Sequence, residues 1–301
     1  MMKLAATVLA ITAGLALAPR ADAWTITQNF DSSAVGASCG WDAGTGSKVN
    51  STNSYSPKNS CQLSVQAGET AYGTWGGVIS HPSNVTRGQQ LWLRVRTFWP
   101  NGTTYNSNGE GDHLKFMRFH TMSSSNSNIG YDDIYINPAG QNPPFLFIYE
   151  GEQVWDNIGS TTGSLVAPLL SGSKEPIQFG VWETYEYYVK FDTTPKDKGG
   201  QAEIRFWKNG SLMADMTDRI TLLSSDAYSD RTHLFTYWNG GAPQTEAMYI
   251  DDVELTTDTP SARDAAGNPF IGVGTVTSTS TSGSTGTTTI LPEPPNSVSV
   301  Q

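Results

Sequence analysis

The sequence is short of positive charge. Its 301 residues include 18 lysines and arginines against 28 aspartates and glutamates, which gives a formal net charge of −10. Because nucleic acids and anionic membrane surfaces are bound through clustered cations, this deficit argues against both as partners. It does not exclude an anionic substrate, since one groove can carry the opposite sign from the whole chain.

Long apolar runs are also missing after the N-terminus. Lys3 precedes an apolar stretch, residues 4–18, and Ala21-Asp22-Ala23 has the pattern of a cleavage site. Residues 1–23 are therefore expected to be a secretory signal peptide of bacterial type. The alternative is an N-terminal anchor helix, but the stretch is too short to span a bilayer. Cleavage would remove two positive charges and one negative charge, which moves the net charge from −10 to −11.

Cysteine is almost absent, since Cys39 and Cys61 are the only two. In an exported protein an even pair predicts a disulfide. The loop between them is polar and rich in Gly and Ser, and closing it would stabilise the fold by about 3 kcal/mol. Two cysteines alone do not make a zinc site, and the sequence has no H-x-x-H or C-x-x-C motif to complete one.

Helical periodicity is weak throughout, and short segments rich in aromatic and β-branched residues predict strands instead. The clearest segments are 91–99, 113–120, 130–137, 144–150, 185–192, 202–210, 232–239 and 247–255. Asn209-Gly210 predicts a type I′ hairpin turn. A domain of this kind, residues 24–273, indicates a two-sheet sandwich or a barrel. Residues 274–301 are rich in Ser, Thr and Pro and are expected to be a disordered tail or a linker to a further module.

The segments "VWETYEYYVKFD" and "AEIRFWKNGSLM" resemble a signature of concanavalin-A-like jelly rolls. The opening "QNFDSSAVG" and the ending "AMYIDDVELTTDTP" are similar to the first and closing strands of the same folds. The resemblance implies an all-β, two-sheet antiparallel jelly-roll sandwich with a concave glycan groove, as in secreted polysaccharide lyases and glycan-binding domains. It implies further that segments 113–120, 130–137 and 144–150 lie in the concave sheet. The fold hosts lectins, hydrolases and lyases, so it does not decide the activity.

The segment "HLKFMRFH", residues 113–120, conflicts with regular alternation. A regular strand would make each face half cationic and half apolar, which suits neither a core nor a groove. A β-bulge near Phe116-Met117 shifts the phase, so that the apolar residues point inward. His113, Lys115, Arg118 and His120 then share the outer face. The alternative is a regular strand near a sheet end, with the cations paired to acids.

A row of cations and histidines suits a carboxylated polysaccharide. β-Elimination at a uronate needs a group that neutralises the carboxylate, a base for the C5 proton and an acid for the leaving oxygen. Lys115 and Arg118 are candidate neutralisers, and His120 or His113 is the candidate base. The other predicted site residues lie on neighbouring strands: Tyr131 and Tyr135 for proton transfer, and Tyr149, Glu150 and Tyr237 for substrate binding. Each tyrosine could instead pack in the core or stack on a sugar ring.

Two other functions stay open from the residues. Glu150 and Glu152 have i, i+2 spacing, which allows a hydrolase with both carboxylates on one face. The other is a non-catalytic carbohydrate-binding module, which would need a glycan groove but no base or acid for cleavage. The leading hypothesis is a secreted, monomeric polysaccharide lyase acting on an acidic polysaccharide.

The jelly-roll resemblance also implies a structural calcium. Acids in the closing strand of such folds often hold the ion together with an acid from the first strand, here Asp251, Asp252 and Asp31. Calcium prefers several hard oxygen ligands, including backbone carbonyls. The alternative is that alternation points only one of the paired acids outward, where it would hydrogen-bond a turn.

Overall fold

The computed structural model describes residues 23–40, 46–70, 76–104, 114–137, 145–149, 154–158, 177–235 and 240–274. Apart from one short 3-10 helix, Lys196–Lys198, its regular elements in these ranges are strands. The strands are β1 Thr25–Gln28, β2 Ser47–Asn50, β3 Ser60–Val65, β4 Gly77–Thr86, β5 Gln90–Phe98, β6 Leu114–Met122, β7 Asn128–Ile136, β8 Phe145–Tyr149, β9 Val154–Ile158, β10 Trp182–Lys190, β11 Glu203–Lys208, β12 Ser211–Met216, β13 Tyr228–Leu234 and β14 Glu246–Thr256. None of the described residues forms a helix that is both long and apolar enough to cross a bilayer.

The strands form two antiparallel sheets, so the fold is an all-β jelly-roll sandwich as the sequence predicts. The back sheet has the order β12-β11-β10-β5-β14-β3-β2, and β1 also pairs with β14. The front sheet has the order β4-β13-β6-β7-β8-β9. The described residues of segments 113–120, 130–137 and 144–150 belong to β6, β7 and β8, which lie together in the front sheet, as the resemblance implies. The Trp-led strand β10 and the hairpin β11–β12 lie in the back sheet.

Aromatic side chains join the two sheets across the core. The ring of Phe119 on β6 stacks on Tyr187 of β10, with centroids 4.8 Å apart, and Phe116 meets Tyr185 edge to face at 5.1 Å. These contacts identify the inner face of each sheet. Since side chains alternate along a regular strand, the neighbours in sequence of Phe119, Tyr185 and Tyr187 point away from the core.

Local features of the sequence are confirmed where the chain turns and cross-links. Asn209 and Gly210 have φ angles of 49° and 80°, the positive values that the predicted type I′ turn requires. Cys39 and Cys61 form a disulfide with Cα atoms 5.8 Å apart. The bridge ties the loop after β1 to β3 of the back sheet.

A C-terminal strap, residues 260–274, crosses the outer face of the back sheet. The ring of Phe270 stacks on Trp207, with centroids 6.1 Å apart, over a small cluster that includes Trp92 and Tyr188. The Glu186 carboxylate accepts hydrogen bonds from the Ile271 and Gly272 amides. The strap thus covers aromatic side chains that would otherwise face water.

Candidate functional site

The irregular strand β6 carries the cations on one face. Its pairing with β7 shifts register between Lys115 and Met117, so a bulge is present at Phe116, as the sequence predicts. Leu114, Phe116, Met117 and Phe119 all belong to the hydrophobic core. The extra residue reverses the alternation, and Lys115, Arg118 and His120 consequently point to the outer face of the front sheet.

Strand β7 adds two aromatic rings and a carboxylate to the same face. Asp133 is the cross-strand partner of Arg118, and Arg118 Nε donates to Asp133 Oδ1 at 2.8 Å. The Arg118 guanidinium also lies 3.8 Å from the centroid of the Tyr131 ring, a cation–π distance. Tyr135 lies beside the next cation, with Lys115 Nζ 5.7 Å from its ring centroid. Arg118 therefore anchors the Tyr131 ring from below.

Strand β13 completes the face with three residues that the sequence reasoning missed. His233 pairs with Arg118, and Arg231 pairs with His120, so both point outward. A register shift between Ser229 and Arg231 turns Asp230 to the same side, where its Oδ1 lies 2.6 Å from His120 Nδ1. The i, i+2 spacing of Arg231 and His233 is visible in the sequence, but the sequence does not show which residues of other strands lie beside them.

Electrostatics keeps the Asp230 carboxylate ionised beside His120. Burial favours the neutral form of Asp230, but hydrogen bonds from His120 and Arg231 and their charges outweigh it and hold its pKa well below the usual range. An ionised carboxylate only accepts hydrogen bonds, so His120 Nδ1 carries the proton that it donates. In a neutral His120 the lone pair is therefore on Nε2.

His233 lies beside this pair as a neutral ring. Its centroid is 5.7 Å from that of His120 and 5.4 Å from that of Tyr131. Burial, followed by the positive charge of Arg118, lowers the pKa of His233 far below its usual value. His233 therefore packs the site without adding charge to it.

The site residues differ in their access to solvent. Lys115 and Arg118 are 6% and 1% exposed, and Arg118 is held by Asp133. In contrast, the side chain of Arg231 is 43% exposed, and Tyr131 is half-buried. Arg231 donates from Nε and Nη2 to Asp230 Oδ2, which fixes its guanidinium next to His120. The accessible part of the face is thus Tyr131, Asp230 and Arg231. His120 is 5% exposed and lies as deep as Lys115, so its place in the site rests on its contact with Asp230 and not on exposure.

Several predicted positions lie outside the described residues. His113, Glu150, Glu152 and Tyr237 are among them, so the hydrolase pair and two of the substrate contacts stay predictions. Tyr149 ends β8, where its backbone pairs with Asp132.

A second polar cluster lies near the disulfide loop and contains two of the predicted calcium ligands. Ser56 Oγ lies within 3.0–3.4 Å of five oxygens, which are Asp31 Oδ1, both carboxylate oxygens of Asp251 and the carbonyls of Asn29 and Asn59. Backbone amides also donate to these carboxylates: Tyr55 and Ser56 to Asp251 Oδ2, Asp252 to Asp251 Oδ1, and Lys58 and Asn59 to Asp31 Oδ1. Two carboxylates and two carbonyls are hard donors of the kind that calcium prefers. The Ser56 hydroxyl lies at the point that these oxygens share, and the calcium site stays a prediction.

The third predicted ligand is placed differently. A register shift in β14 after Asp251 turns Asp252 outward, where its Oδ2 lies 3.0 Å from Arg96 Nε. Asp251 itself is fully buried, and burial raises its pKa to about 6. No group of three histidine, cysteine or acidic side chains converges anywhere among the described residues. The oxygen cluster therefore consists of the carboxylates of Asp31 and Asp251 together with backbone carbonyls.

The two antiparallel sheets give this chain a jelly-roll sandwich fold that several solved structures share. Solved structures with this fold include alginate lyase Aly36B, at 13% identity and TM-score 0.51, with 77% of this chain and 96% of that chain covered. A variant of Aly36B in complex with an alginate trisaccharide aligns at 14% identity and TM-score 0.52, covering 77% and 97%. The endo-β-1,4-glucuronan lyase of the fungus Trichoderma reesei aligns at 12% identity and TM-score 0.51, covering 77% and 95%.

These likenesses establish the fold, and the identities are too low to establish more. No model of a known protein family matches the chain. A search of curated proteins also finds no match. The activity must therefore be argued from the residues of the site.

Proposed function

We propose that the protein is a secreted polysaccharide lyase that cleaves an acidic, uronate-containing polysaccharide by β-elimination. The observation that carries the proposal is the contact of His120 Nδ1 with Asp230 at 2.6 Å, beside the Tyr131 ring, on one face of the front sheet. The structural neighbours supply a further argument, since alginate and glucuronan lyases share the fold. The disulfide supports action outside the reducing cytosol.

The proton transfers are assigned to His120 and Tyr131. Asp230 holds the His120 ring with Nε2 available to remove the proton at C5 of the uronate. The electron pair of that C–H bond forms a C4=C5 double bond as the C4–O bond breaks, which leaves an unsaturated uronate. The Tyr131 hydroxyl then protonates the departing oxygen. The ring centroids of His120 and Tyr131 lie 4.9 Å apart, so one sugar residue can meet both.

The cation that meets the substrate carboxylate is assigned to Arg231. Proton removal at C5 places negative charge on that carboxylate, and a fixed cation stabilises it. Lys115 and Arg118, the residues suggested by the sequence pattern, are buried, and Arg118 is bound to Asp133. We assign Arg118 to positioning Tyr131 through its cation–π contact.

The experiment is an assay of the mature protein on a panel of acidic polysaccharides. Ultraviolet absorbance of unsaturated uronates and reducing ends should rise together. His120→Asn and Tyr131→Phe should each lower kcat by about 10²–10⁴-fold, the usual contribution of one proton-transfer group. Tyr228→Phe is the matched control, because it removes a hydroxyl that binds Asn126 on a surface hairpin. Reducing ends without absorbance would indicate a hydrolase, and wild-type rates in both site variants would reject the assignment.

The second candidate is a non-catalytic carbohydrate-binding module. The observation that favours it is the burial of Lys115, Arg118 and His120, each 6% exposed or less. Such a face would present Tyr131 and Arg231 to a sugar without reaching its C5 proton. The same assay separates the two, because a module would bind the polysaccharide and produce neither absorbance nor reducing ends.

We also propose a structural calcium at the oxygen cluster, held by Asp31, Asp251 and the carbonyls of Asn29 and Asn59. A bound cation would favour the ionised form of the buried Asp251. Calcium at 100 times its Kd should stabilise the fold by about 2.7 kcal/mol, and Asp31→Asn should abolish the effect. Asp252→Asn is the control, since Asp252 binds Arg96 instead. An unfolding temperature that is the same in calcium and in chelator would reject the site.

A further inference from the structure

The outer face of the back sheet carries three aromatic residues in one cross-strand row. Trp182 on β10 pairs with Phe98 on β5, and Phe98 pairs in turn with Tyr249 on β14. The ring centroids of Trp182 and Phe98 lie 5.6 Å apart, and those of Phe98 and Tyr249 lie 6.1 Å apart. We call Trp182, Phe98 and Tyr249 the aromatic row.

The row lies outside the hydrophobic core. Trp182 and Phe98 are half-buried, and Tyr249 is 8% exposed. The inward neighbours Val95 and Ile250 are fully buried in the core, which shows that alternation points the row outward. Tyr55 adds a fourth ring at one end, edge to face with Trp182 at 6.0 Å. Trp182 and Phe98 thus leave part of their rings accessible to water, and contiguous apolar groups at a surface mark binding sites more often than scattered single side chains do.

Polar groups extend the row across two more strands. Tyr249 pairs with Gln62 on β3, and Gln62 pairs with Lys48 on β2. Gln62 is half-buried and accepts a hydrogen bond from the Asn50 amide at 2.6 Å, and Lys48 is exposed. The line across five strands therefore runs from apolar rings to amides and one cation, and it contains no acid.

This sequence of groups fits a sugar chain. Pyranose rings present an apolar C–H face that packs on an aromatic ring, while their rim of hydroxyls needs hydrogen-bonding partners. Lys48 provides the positive charge that an acidic polymer requires, on a chain whose net charge is −10. We propose that the aromatic row with Gln62 and Lys48 is a non-catalytic binding site for a polysaccharide. The polysaccharide class rests on the proposed function, whereas the row is separate from the front-sheet site.

A second site on the opposite sheet would act on polymers and not on short fragments. A long chain that is held on the back sheet raises the local concentration of cleavable units near the front sheet. An oligosaccharide of three or four residues occupies one site at a time and gains nothing. The site therefore predicts a length-dependent affinity.

The test is native affinity electrophoresis in gels that contain soluble alginate or glucuronan, carried out in the His120→Asn background to prevent cleavage. Trp182→Ala should weaken retardation about tenfold, and Trp182→Phe, which keeps a ring, should retain most of it. With His120 intact, Trp182→Ala should leave kcat/KM on short oligosaccharides unchanged. Leu223→Ser is the control for loss of an exposed apolar side chain, since Leu223 is 42% exposed elsewhere on the surface.

Two results would overturn the proposal. One is unchanged retardation of both Trp182→Ala and Tyr249→Leu, the second variant being included because it keeps apolar volume if Trp182→Ala misfolds. The other is a wild-type dimer that becomes monomeric in Trp182→Ala by light scattering, which would make the row an interface between copies. Retardation measures binding and needs no cleavage. It therefore tests the aromatic row even if the protein proves to have no lyase activity.

Discussion

The buried carboxylate of Glu186 should make the stability of this protein depend on pH. Glu186 is 2% exposed beneath the C-terminal strap and accepts hydrogen bonds from the Ile271 and Gly272 amides. Burial raises its pKa from 4.5 to about 7, although those amides and Arg94 oppose the shift. Between pH 4.5 and about pH 7, the Glu186 carboxyl is therefore mostly protonated in the folded state and mostly ionised in the unfolded state.

The sign and size of the effect follow from this difference. Stability rises with pH only where the unfolded state binds more protons, so here the free energy of unfolding falls as the pH rises through the window from 4.5 to about 7. Each unit of pKa difference corresponds to about 1.4 kcal/mol. Because part of the window lies below pH 5, the loss between pH 5 and pH 8 is about 2–3 kcal/mol.

Urea unfolding of the wild type and of Glu186→Gln at pH 5, 6, 7 and 8 measures this contribution. The variant cannot ionise at this position, so its unfolding free energy relative to the wild type should rise by about 2–3 kcal/mol from pH 5 to pH 8. Glu254→Gln is the control on the same face, where the carboxylate is partly exposed beside Arg94 and its removal should change stability by about 1 kcal/mol or less. Parallel pH profiles of wild type and Glu186→Gln would refute the reasoning.

Two further predictions concern cross-links in the fold. Replacing Cys39 and Cys61 by Ala should lower the unfolding free energy by about 3 kcal/mol, because the bridge closes a loop with a sequence separation of 22; equal urea midpoints for the oxidised and reduced wild type would contradict this. Asp133→Ala should cost about 3–5 kcal/mol, since it breaks a buried ion pair with Arg118. The double variant Asp133→Ala/Arg118→Met should recover part of that loss in thermal unfolding, and equal stability of single and double variants would contradict the ion-pair argument.

Much of the fold and part of the site could be predicted from local patterns. The sequence predicted a bulge in β6, because no regular alternation separates Leu114 and Phe119 from Lys115 and Arg118, but it left a regular strand with acid-paired cations as the alternative; the register shift in the structure decided between them. Strands with polar or proline-containing sequences were not predicted, and β4, "GVISHPSNVT", is the clearest case. Its pairing with β13, not its own propensity, makes it a strand.

The sequence by itself limited the side-chain faces of β6 to two alternatives, and it predicted where the Asn209-Gly210 hairpin turns and which cysteines pair. These depend on period-two alternation, backbone φ preferences and the count of cysteines, all of which are properties of short segments or of composition. Only the tertiary structure decided that β13 lies beside β6, which brings Asp230 to His120 across 110 residues. Strand order and register are set by packing between distant segments, and no local pattern in the sequence encodes them.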